Sequence, residues 1–289
     1  MGGADIIPGV SGGTMALIVG IYERLIDSLS SGFSMLVSLA RLRVGEAWEH
    51  AREVDWGLVI PLLAGIVTAI GAASFFLPHL IETYPHEMRG LFLGLVAASI
   101  AVPWLRIGRF TPRLILLALA GAIAAFLVVG LPLLEVEPRP GFLRILASAS
   151  IAICAMILPG VSGAFLLEVL GIYRPTVEAL RAAIGLDLHA IGYVAVFVTG
   201  AVVGLGLFSK SLDWLLDHYH DATMAALVGL MAGSLRALWP WQPWESHERV
   251  LLWPGTGDPV ATVVLLAAAG FAFVALLTWW GSRRITGGR

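Results

Sequence analysis

Two stretches of the chain, IIPGVSGGTMALIVGIYERL (Ile6–Leu25) and ILPGVSGAFLLEVLGIYRPT (Ile157–Thr176), carry nearly the same phrase. The match continues beyond these stretches: Pro8–Leu29 aligns with Pro159–Leu180 without a gap, and nine of the 22 positions are identical. Each stretch interrupts an apolar run first with Pro-Gly and then with Ser-Gly. A phrase of this kind, repeated so far along the chain, indicates a duplicated unit built around a broken helix.

The composition around these stretches is that of a membrane protein. Of the 289 residues, 58% are hydrophobic and only 13% are charged, and the mean hydropathy is +0.87. A soluble domain carries about 25% charged residues. The charge-free spans predict an all-α polytopic membrane protein, because helices satisfy their own backbone in lipid. These spans are Gly57–Leu77, Gly90–Leu105, Leu114–Leu134, Ile145–Leu167, Ala190–Ser209, Ala222–Leu235 and Pro259–Ser282.

Composition also limits the partners. The formal net charge of -2 gives no reason to expect nucleic acid as a partner. The single cysteine, Cys154, cannot form an internal disulfide. No group of His, Cys, Asp and Glu has metal-ligand spacing, so we expect neither a metal nor a cofactor.

The duplication extends beyond the two phrases. After a change of offset, glycines of the first half again match glycines of the second: Gly65, Gly71 and Gly94 fall on Gly200, Gly206 and Gly229. The first copy carries about 16 extra residues. They fall in Ser31–Asp55, whose mixed composition predicts an amphipathic helix on the membrane surface. We therefore expect a single membrane domain over 1–289, with one repeat at about 1–134 and the other at about 142–282.

The distribution of arginines predicts how the copies are oriented. The loop Arg106–Arg113 holds three arginines and no acid, and the C-terminal tail holds three more. The positive-inside rule places both in the cytoplasm. An even number of crossings must then separate them, which requires Ile145–Ile172 to fold back as a re-entrant hairpin. The prediction is an inverted-topology repeat, in which each unit has a re-entrant PGVSG hairpin followed by three transmembrane helices.

The broken helix predicts an anion site. Proline ends one helix, the glycines permit an unusual backbone, and the serine caps the next helix. The N-terminus of that next helix is partially positive and suits phosphate or carboxylate. A kink that only shapes helix packing is the alternative, which two symmetric copies make less favourable. The candidate substrate-binding residues are Pro8, Gly9, Ser11, Gly12, Gly13, Thr14, Pro159, Gly160, Ser162 and Gly163.

Charged residues near these segments are candidates for charge balance or coupling. Glu168 follows the second break inside an apolar run, so it is a candidate for carrying a coupling proton or ion or for pairing with an arginine. The alternative is that Glu168 faces water at the open end of the hairpin. Glu23, Arg24 and Arg174 follow the GIY triplets and are interpreted first as interfacial residues. Arg89 and Arg236 either clamp a phosphate or anchor the topology.

The two copies differ in polarity at equivalent positions. Gly13 and Thr14 of the first copy correspond to Ala164 and Phe165 of the second, so the second site is predicted to be less polar.

Three segments resemble a prokaryotic membrane family linked to polyprenyl-phosphate translocation, the PopT type. They are ADIIPGVSGGTMALIVGIYERLI (Ala4–Ile26), MILPGVSGAFLLEVLGIY (Met156–Tyr173) and GLMAGSLRALWPW (Gly229–Trp241), and the resemblance covers essentially the whole chain. It implies a transporter in a bacterial or archaeal cytoplasmic membrane, with the C-terminus cytoplasmic. Such a transporter moves undecaprenyl phosphate, the carrier of cell-wall precursors, from the outer to the inner leaflet.

One departure from the family concerns the first motif. The family usually has a helix before it, as the second copy of this chain does at Phe142–Leu158, whereas seven residues precede Pro8 here. We interpret this as a late-assigned start or a truncation, which leaves the first hairpin half built.

Two other functions compete with lipid translocation. A polyprenyl-diphosphate phosphatase also uses re-entrant segments with a Pro-Gly-X-Ser phrase, but its phrase continues with Arg-Ser, where this chain has Gly12-Gly13 and Gly163-Ala164. No nucleophile with a neighbouring base is evident either. A carrier or channel for a small anion is the second alternative, because a phosphate site does not reveal whether a lipid tail is attached.

Overall fold

The computed structural model describes residues 12–131, 140–159, 162–242 and 250–286. Thirteen α-helices lie in these ranges, and a 3₁₀ turn at Leu235–Leu238 extends the twelfth. The helices are Gly12–Val19 (α1), Tyr22–Ala40 (α2), Val44–Glu53 (α3), Trp56–Thr83 (α4), Pro85–Ser99 (α5), Ala101–Leu105 (α6), Pro112–Val129 (α7), Phe142–Ile157 (α8), Gly163–Val169 (α9), Tyr173–Ile184 (α10), Leu188–His218 (α11), His220–Ser234 (α12) and Val260–Thr286 (α13).

Among the residues that the structure describes, five helical segments are long and apolar enough to cross a membrane. They are Pro85–Leu105, Pro112–Val129, Leu188–His218, His220–Leu238 and Val260–Trp279. The remaining predicted crossing, Gly57–Leu77, falls in α4, a helix of 28 residues whose side chains are described only in part. The prediction of an all-α, multi-pass membrane protein is confirmed.

The predicted single surface helix over Ser31–Asp55 is wrong. α2 continues to Ala40, and the chain then reverses through Leu42, whose φ of 58° lies in the left-handed region, before α3 begins. A left-handed residue ends an α-helix, which is why one amphipathic pattern is divided between two helices. α2 also packs against the spanning helix α11, where a Cβ on Gly206 would clash with the ring of Phe33.

Two pairs of spanning helices pack through glycines in a reciprocal pattern. α13 lies along α5, where a Cβ on Gly94 would clash with the carbonyl oxygen of Ala267. α12 lies along α7, where a Cβ on Gly229 would clash with the carbonyl oxygen of Ala118. Small residues let membrane helices approach this closely. Gly94 and Gly229 occupy corresponding positions of the two sequence repeats. The same repeat position therefore makes a close helix contact in both halves of the chain.

The segments that carry these two glycines run in opposite directions. At the start of α5, Nδ1 of His86 lies 2.8 Å from the carbonyl oxygen of Pro240, beyond the 3₁₀ turn. At the start of α12, Asp221 accepts hydrogen bonds from the backbone N–H groups of Gly108 and Arg109 at 3.0 and 3.2 Å. Each segment therefore begins beside the end of the other, and α5–α6 is antiparallel to α12.

The helix directions divide the bundle into two ends. α13 runs parallel to α5, since Gly90 packs against Val263 and Gly94 against Ala267. The C-terminal part of α13 therefore lies at the same end as the loop Arg106–Arg113, which we call the basic end. The segment that follows the 3₁₀ turn lies at the opposite end.

One pair of matched helices is packed unequally. α11 lies along α8, with the Ser150 hydroxyl donating to the carbonyl oxygen of Gly200 at 2.7 Å and a Cβ on Gly200 clashing with Leu146. The corresponding Gly65 in α4 has no atom within 4 Å of a Cβ built on it. The repeat in sequence therefore does not produce equal helix packing.

Candidate functional site

The second PGVSG segment interrupts the helix as its sequence predicts. α8 ends at Ile157, Leu158 is extended with φ -68° and ψ 126°, and Pro159 is buried; Gly160 lies outside the described residues. The side chain of Ser162 then accepts a hydrogen bond from the backbone N–H of Phe165 at 3.4 Å, which makes it the N-cap of α9. Ser162 is thus confirmed as a capping residue.

α9 folds back along α8 as a helical hairpin. Gly163 packs so closely on α8 that a Cβ would clash with the side chain of Met156. At the other end of α9, the Arg144 guanidinium donates to the carbonyl oxygen of Leu170 at 3.0 Å. The last turn of α9 thus lies beside the first turn of α8, and the two helices are antiparallel. Gly163 serves this close approach.

The first helix after its break packs directly on the second break. Gly12, Gly13 and Thr14 open α1 and are all buried. A Cβ on Gly13 would clash with the carbonyl oxygen of Ile157 and lie 3.3 Å from the nitrogen of Pro159. The structure therefore brings together the start of α1 and the end of α8. Pro8, Gly9 and Ser11 lie outside the described residues.

The turns that follow the two short helices have the same geometry. Gly20 and Gly171 both adopt positive φ, at 80° and 71°. Their backbone N–H groups donate to the matched carbonyl oxygens of Leu17 and Glu168 at 3.1 and 3.0 Å. Glycine is needed here because other residues are strained at this φ. The repeated GIY triplet thus reflects a repeated helix C-terminus.

The tyrosines of the two triplets are in different surroundings. Tyr22 begins α2 and is 0% exposed, whereas Tyr173 begins α10 and is 43% exposed. The hydroxyl of Tyr22 is buried and has no hydrogen-bond partner in the part of the chain that the structure describes. Leu17 in α1 is likewise 0% exposed, while the matched Glu168 is exposed. The predicted asymmetry between the copies is therefore also an asymmetry of burial.

Two charge candidates, Glu23 and Arg24, lie at the basic end. Glu23 accepts a hydrogen bond from Arg106 at 2.8 Å and lies 3.7 Å from Nε2 of His220. Arg24 pairs with Asp55, and this hydrogen bond holds the pKa of the Asp55 carboxyl below its usual value. Both residues thus link α2 to neighbouring segments.

Two others, Arg89 and Arg236, lie at the opposite end and are joined through one glutamine. Arg89 donates to the carbonyl oxygen of Gln242 at 3.1 Å, and the Gln242 amide donates to the carbonyl oxygen of Arg236 at 2.5 Å. The Arg236 guanidinium donates to the carbonyl oxygen of Phe126 at 3.0 Å. Its central carbon lies over the Phe126 ring, 4.4 Å from the ring centroid. Trp241 beside them is buried, with no partner for its indole N–H among the described residues.

The last two candidates, Glu168 and Arg174, are both exposed, near the end of α9 and the start of α10. The six predicted charged residues are therefore distributed over both ends of the bundle and the second hairpin. The structure does not gather them into one cluster.

Sequence reasoning missed an acidic group between α2 and α11. Asp27 faces Asp213 and Asp217, which lie four residues apart on one face of α11. Burial, a hydrogen bond with Asp213 and the surrounding negative charges raise the pKa of Asp27 to about 6. The spacing of Asp213 and Asp217 was the signal in the sequence. Among the described residues, no group of three His, Cys, Asp or Glu side chains could hold a metal ion.

An apolar cavity of about 550 Å³ borders the second hairpin. It lies between α8, α9 and α11, and Leu158 of the break forms part of its wall. Ile151 and Leu207 on its rim are 50% and 59% exposed, so the cavity opens on the outer surface of the bundle. Its further lining residues are Ser150, Cys154, Ala155, Leu166, Gly204, Phe208 and Ser211.

Comparison with known proteins decides the family. Residues 1–250 match the VCA0040-like family, described as undecaprenyl phosphate translocase-like. The chain belongs to this family. It is 38% identical over 245 residues to the polyprenyl-phosphate transporter of Vibrio cholerae, and this alignment covers 84% of this chain and 75% of that protein. It is 29% identical over 266 residues to the polyprenyl-phosphate transporter of Staphylococcus aureus, and this alignment covers 88% of this chain and 86% of that protein.

These relatives confirm the resemblance that the sequence indicated. Members of the VCA0040-like family are named for transport and not for catalysis, so the prediction of a transporter rather than an enzyme is confirmed. No solved structure matches the chain.

Proposed function

We propose that this protein carries undecaprenyl phosphate or a related polyprenyl phosphate from the outer to the inner leaflet of the cytoplasmic membrane, supporting envelope synthesis. The family and the names of the two relatives support the substrate class. The observation that carries the proposal within this chain is the packing of Gly13, at the start of α1, against Ile157 and Pro159 of the second break. It puts a buried helix N-terminus beside non-helical backbone, as in transporters with discontinuous helices.

The headgroup is assigned chiefly to the first copy. The N-terminus of α1 carries partial positive charge, which favours a phosphate. Thr14, fully buried in the first turn, adds a hydroxyl. α9 is a weaker candidate, because it has only seven residues and Ser162 already caps it. We therefore propose Gly12, Gly13 and Thr14 as the main headgroup site, with Pro8, Gly9 and Ser11 preceding it.

The isoprenoid tail is assigned to the apolar cavity beside the second hairpin. Its wall includes Leu158 of the break, so a lipid with its tail there would have its phosphate near the start of α1. A carrier of small anions has no use for an apolar cavity that opens on the outer surface of the bundle. This cavity favours a lipid phosphate over the small-anion alternative.

An inverted repeat would explain the reciprocal contacts of the bundle. The antiparallel α5–α6 and α12 segments, and the matched Gly94 and Gly229 contacts, support two copies related by an axis in the membrane plane. We propose that the α8–α9 hairpin is re-entrant and that alternating access arises from movement of the two halves around the breaks. The basic end, with Arg106–Arg113 and the C-terminus, is assigned to the cytoplasm.

Transport by the purified protein tests the function. In liposomes that carry undecaprenyl phosphate in one leaflet, we expect wild type to move the lipid to the other leaflet faster than empty vesicles. Thr14→Val should slow this transfer at least about tenfold, because a hydrogen bond to a charged group is worth about 1.5–3 kcal/mol. The matched control is Thr199→Val, on the exposed face of α11. Wild-type transfer no faster than that of empty vesicles would end the proposal.

Labelling of single cysteines tests the orientation. With Cys154 replaced by alanine, a cysteine at Gly108 should be protected from an impermeant reagent added outside cells. A cysteine at Gly255, in the segment at the opposite end, should react. Reaction at Gly108 alone would overturn the cytoplasmic placement of the basic end, and equal reaction at both positions would exclude the inverted arrangement.

A further inference from the structure

The hydroxyl of Tyr22 is a polar group that the fold does not satisfy. Its side chain is 0% exposed and lies in one apolar cluster with Leu17, Leu212 and Met224. Its oxygen has no hydrogen-bond partner within the described ranges. A buried hydroxyl without a partner costs free energy, and each such group in a native protein requires an explanation. A phenylalanine would fill the same space without this cost.

The second copy provides an internal comparison. Tyr173 occupies the same place in the same triplet, after a glycine that also has a positive φ, but it is 43% exposed. The triplet itself therefore does not require a buried hydroxyl. What distinguishes Tyr22 is its position between α1, α11 and α12 near the basic end.

The Arg106 guanidinium lies close to two residues near Tyr22 in the chain, one before it and one after it. Nη2 of Arg106 lies 3.7 Å from a Cβ built on Gly20, and Nη1 of Arg106 donates to the Glu23 carboxylate at 2.8 Å. His220 completes this charged group at 3.7 Å from Glu23. A neutral O–H donor and a guanidinium in the same part of the fold are a combination that suits a phosphate monoester, because both groups donate to its oxygens. In this structure, Arg106 is paired with Glu23 instead.

We propose that Tyr22 is a second headgroup ligand at the basic end, which donates to the phosphate of the lipid after it has left the start of α1. The inference rests on the proposed transport function. α1 has eight residues and is about 12 Å long, so Tyr22 and Gly12–Thr14 belong to separate positions along one path. As the phosphate arrives, Arg106 exchanges Glu23 for the phosphate.

Ligand-induced thermal stabilisation of the purified full-length protein tests this assignment. The probes are undecaprenyl phosphate, undecaprenol and inorganic phosphate. We expect undecaprenyl phosphate to raise the unfolding midpoint of wild type and of the control Tyr173→Phe. Its affinity for Tyr22→Phe should fall about tenfold or more, as for the loss of one hydrogen bond to a charged group. Without ligand, Tyr22→Phe should unfold at the same temperature as wild type or higher, because it loses only an unpaired hydroxyl.

The liposome assay separates the two proposals. If wild type transports lipid while Tyr22→Phe binds and transports equally well, Tyr22 is not a ligand and the transport function stands. If wild type itself transports nothing, the function fails first. A stabilisation that depends on Tyr22 with inorganic phosphate, but not with the lipid, would overturn the assignment to a lipid headgroup. Lower stability of Tyr22→Phe with unchanged lipid affinity would show a purely structural hydroxyl, also overturning it.

Discussion

Replacing Gly13 by alanine is expected to abolish transport of the lipid phosphate while the protein remains in the membrane. The new Cβ would clash with the carbonyl oxygen of Ile157, which is backbone and cannot rotate away. α1 must then move off the second break, and the headgroup site proposed between them is lost. A displacement of about 1 Å can cost a catalytic site a hundredfold in rate, and we expect a comparable loss for a displaced headgroup site. The measurement is leaflet-to-leaflet transfer of undecaprenyl phosphate in liposomes.

Two control variants test whether the effect is specific. Gly192→Ala, in α11, places its Cβ in open space and should transport like wild type. The second-copy residue that corresponds to Gly13 is already alanine, Ala164, and is exposed, so Ala164→Gly should also have little effect. Wild-type transport by Gly13→Ala would mean that close contact between the start of α1 and the second break is not required.

The largest losses of stability are expected at Gly94 and Gly229. In each case a Cβ would clash with a carbonyl oxygen of the facing helix, at Ala267 or Ala118, so the two backbones must separate. Overpacking of this kind costs about 1–3 kcal/mol at each site, and the loss of helix contact adds to it. We expect Gly94→Ala and Gly229→Ala each to lower the thermal unfolding midpoint in detergent, and the double variant to lower it further.

Matched glycines provide the control for this experiment. Gly65→Ala should be neutral or slightly stabilising, because its Cβ meets nothing and alanine favours the helix. Gly200→Ala, the corresponding change in the second copy, should destabilise, because its Cβ would clash with Leu146. Equal midpoints for Gly65→Ala and Gly200→Ala would contradict the helix packing described above.

Much of the site could be predicted from the repeated phrase. Proline at 159 and serine at 162 determine where one helix stops and the next starts, because the missing N–H and the capping hydroxyl act locally. The two GIY triplets correspond to two equal turns in the structure, where Gly20 and Gly171 adopt the same left-handed conformation. The division of Ser31–Asp55 into two helices was missed, because a left-handed leucine at 42 leaves no mark in an amphipathic pattern.

The sequence by itself determined the membrane class, the second break and the duplicated sequence pattern, because each depends on composition or on neighbours in the chain. Only the tertiary structure decided that Gly13 meets Ile157, that Gly200 is packed while Gly65 is not, and that Tyr22 is buried while Tyr173 is exposed. Identical letters in the two copies face different helices, and packing depends on what lies opposite a residue. That dependence on residues distant in the chain makes the two copies unequal.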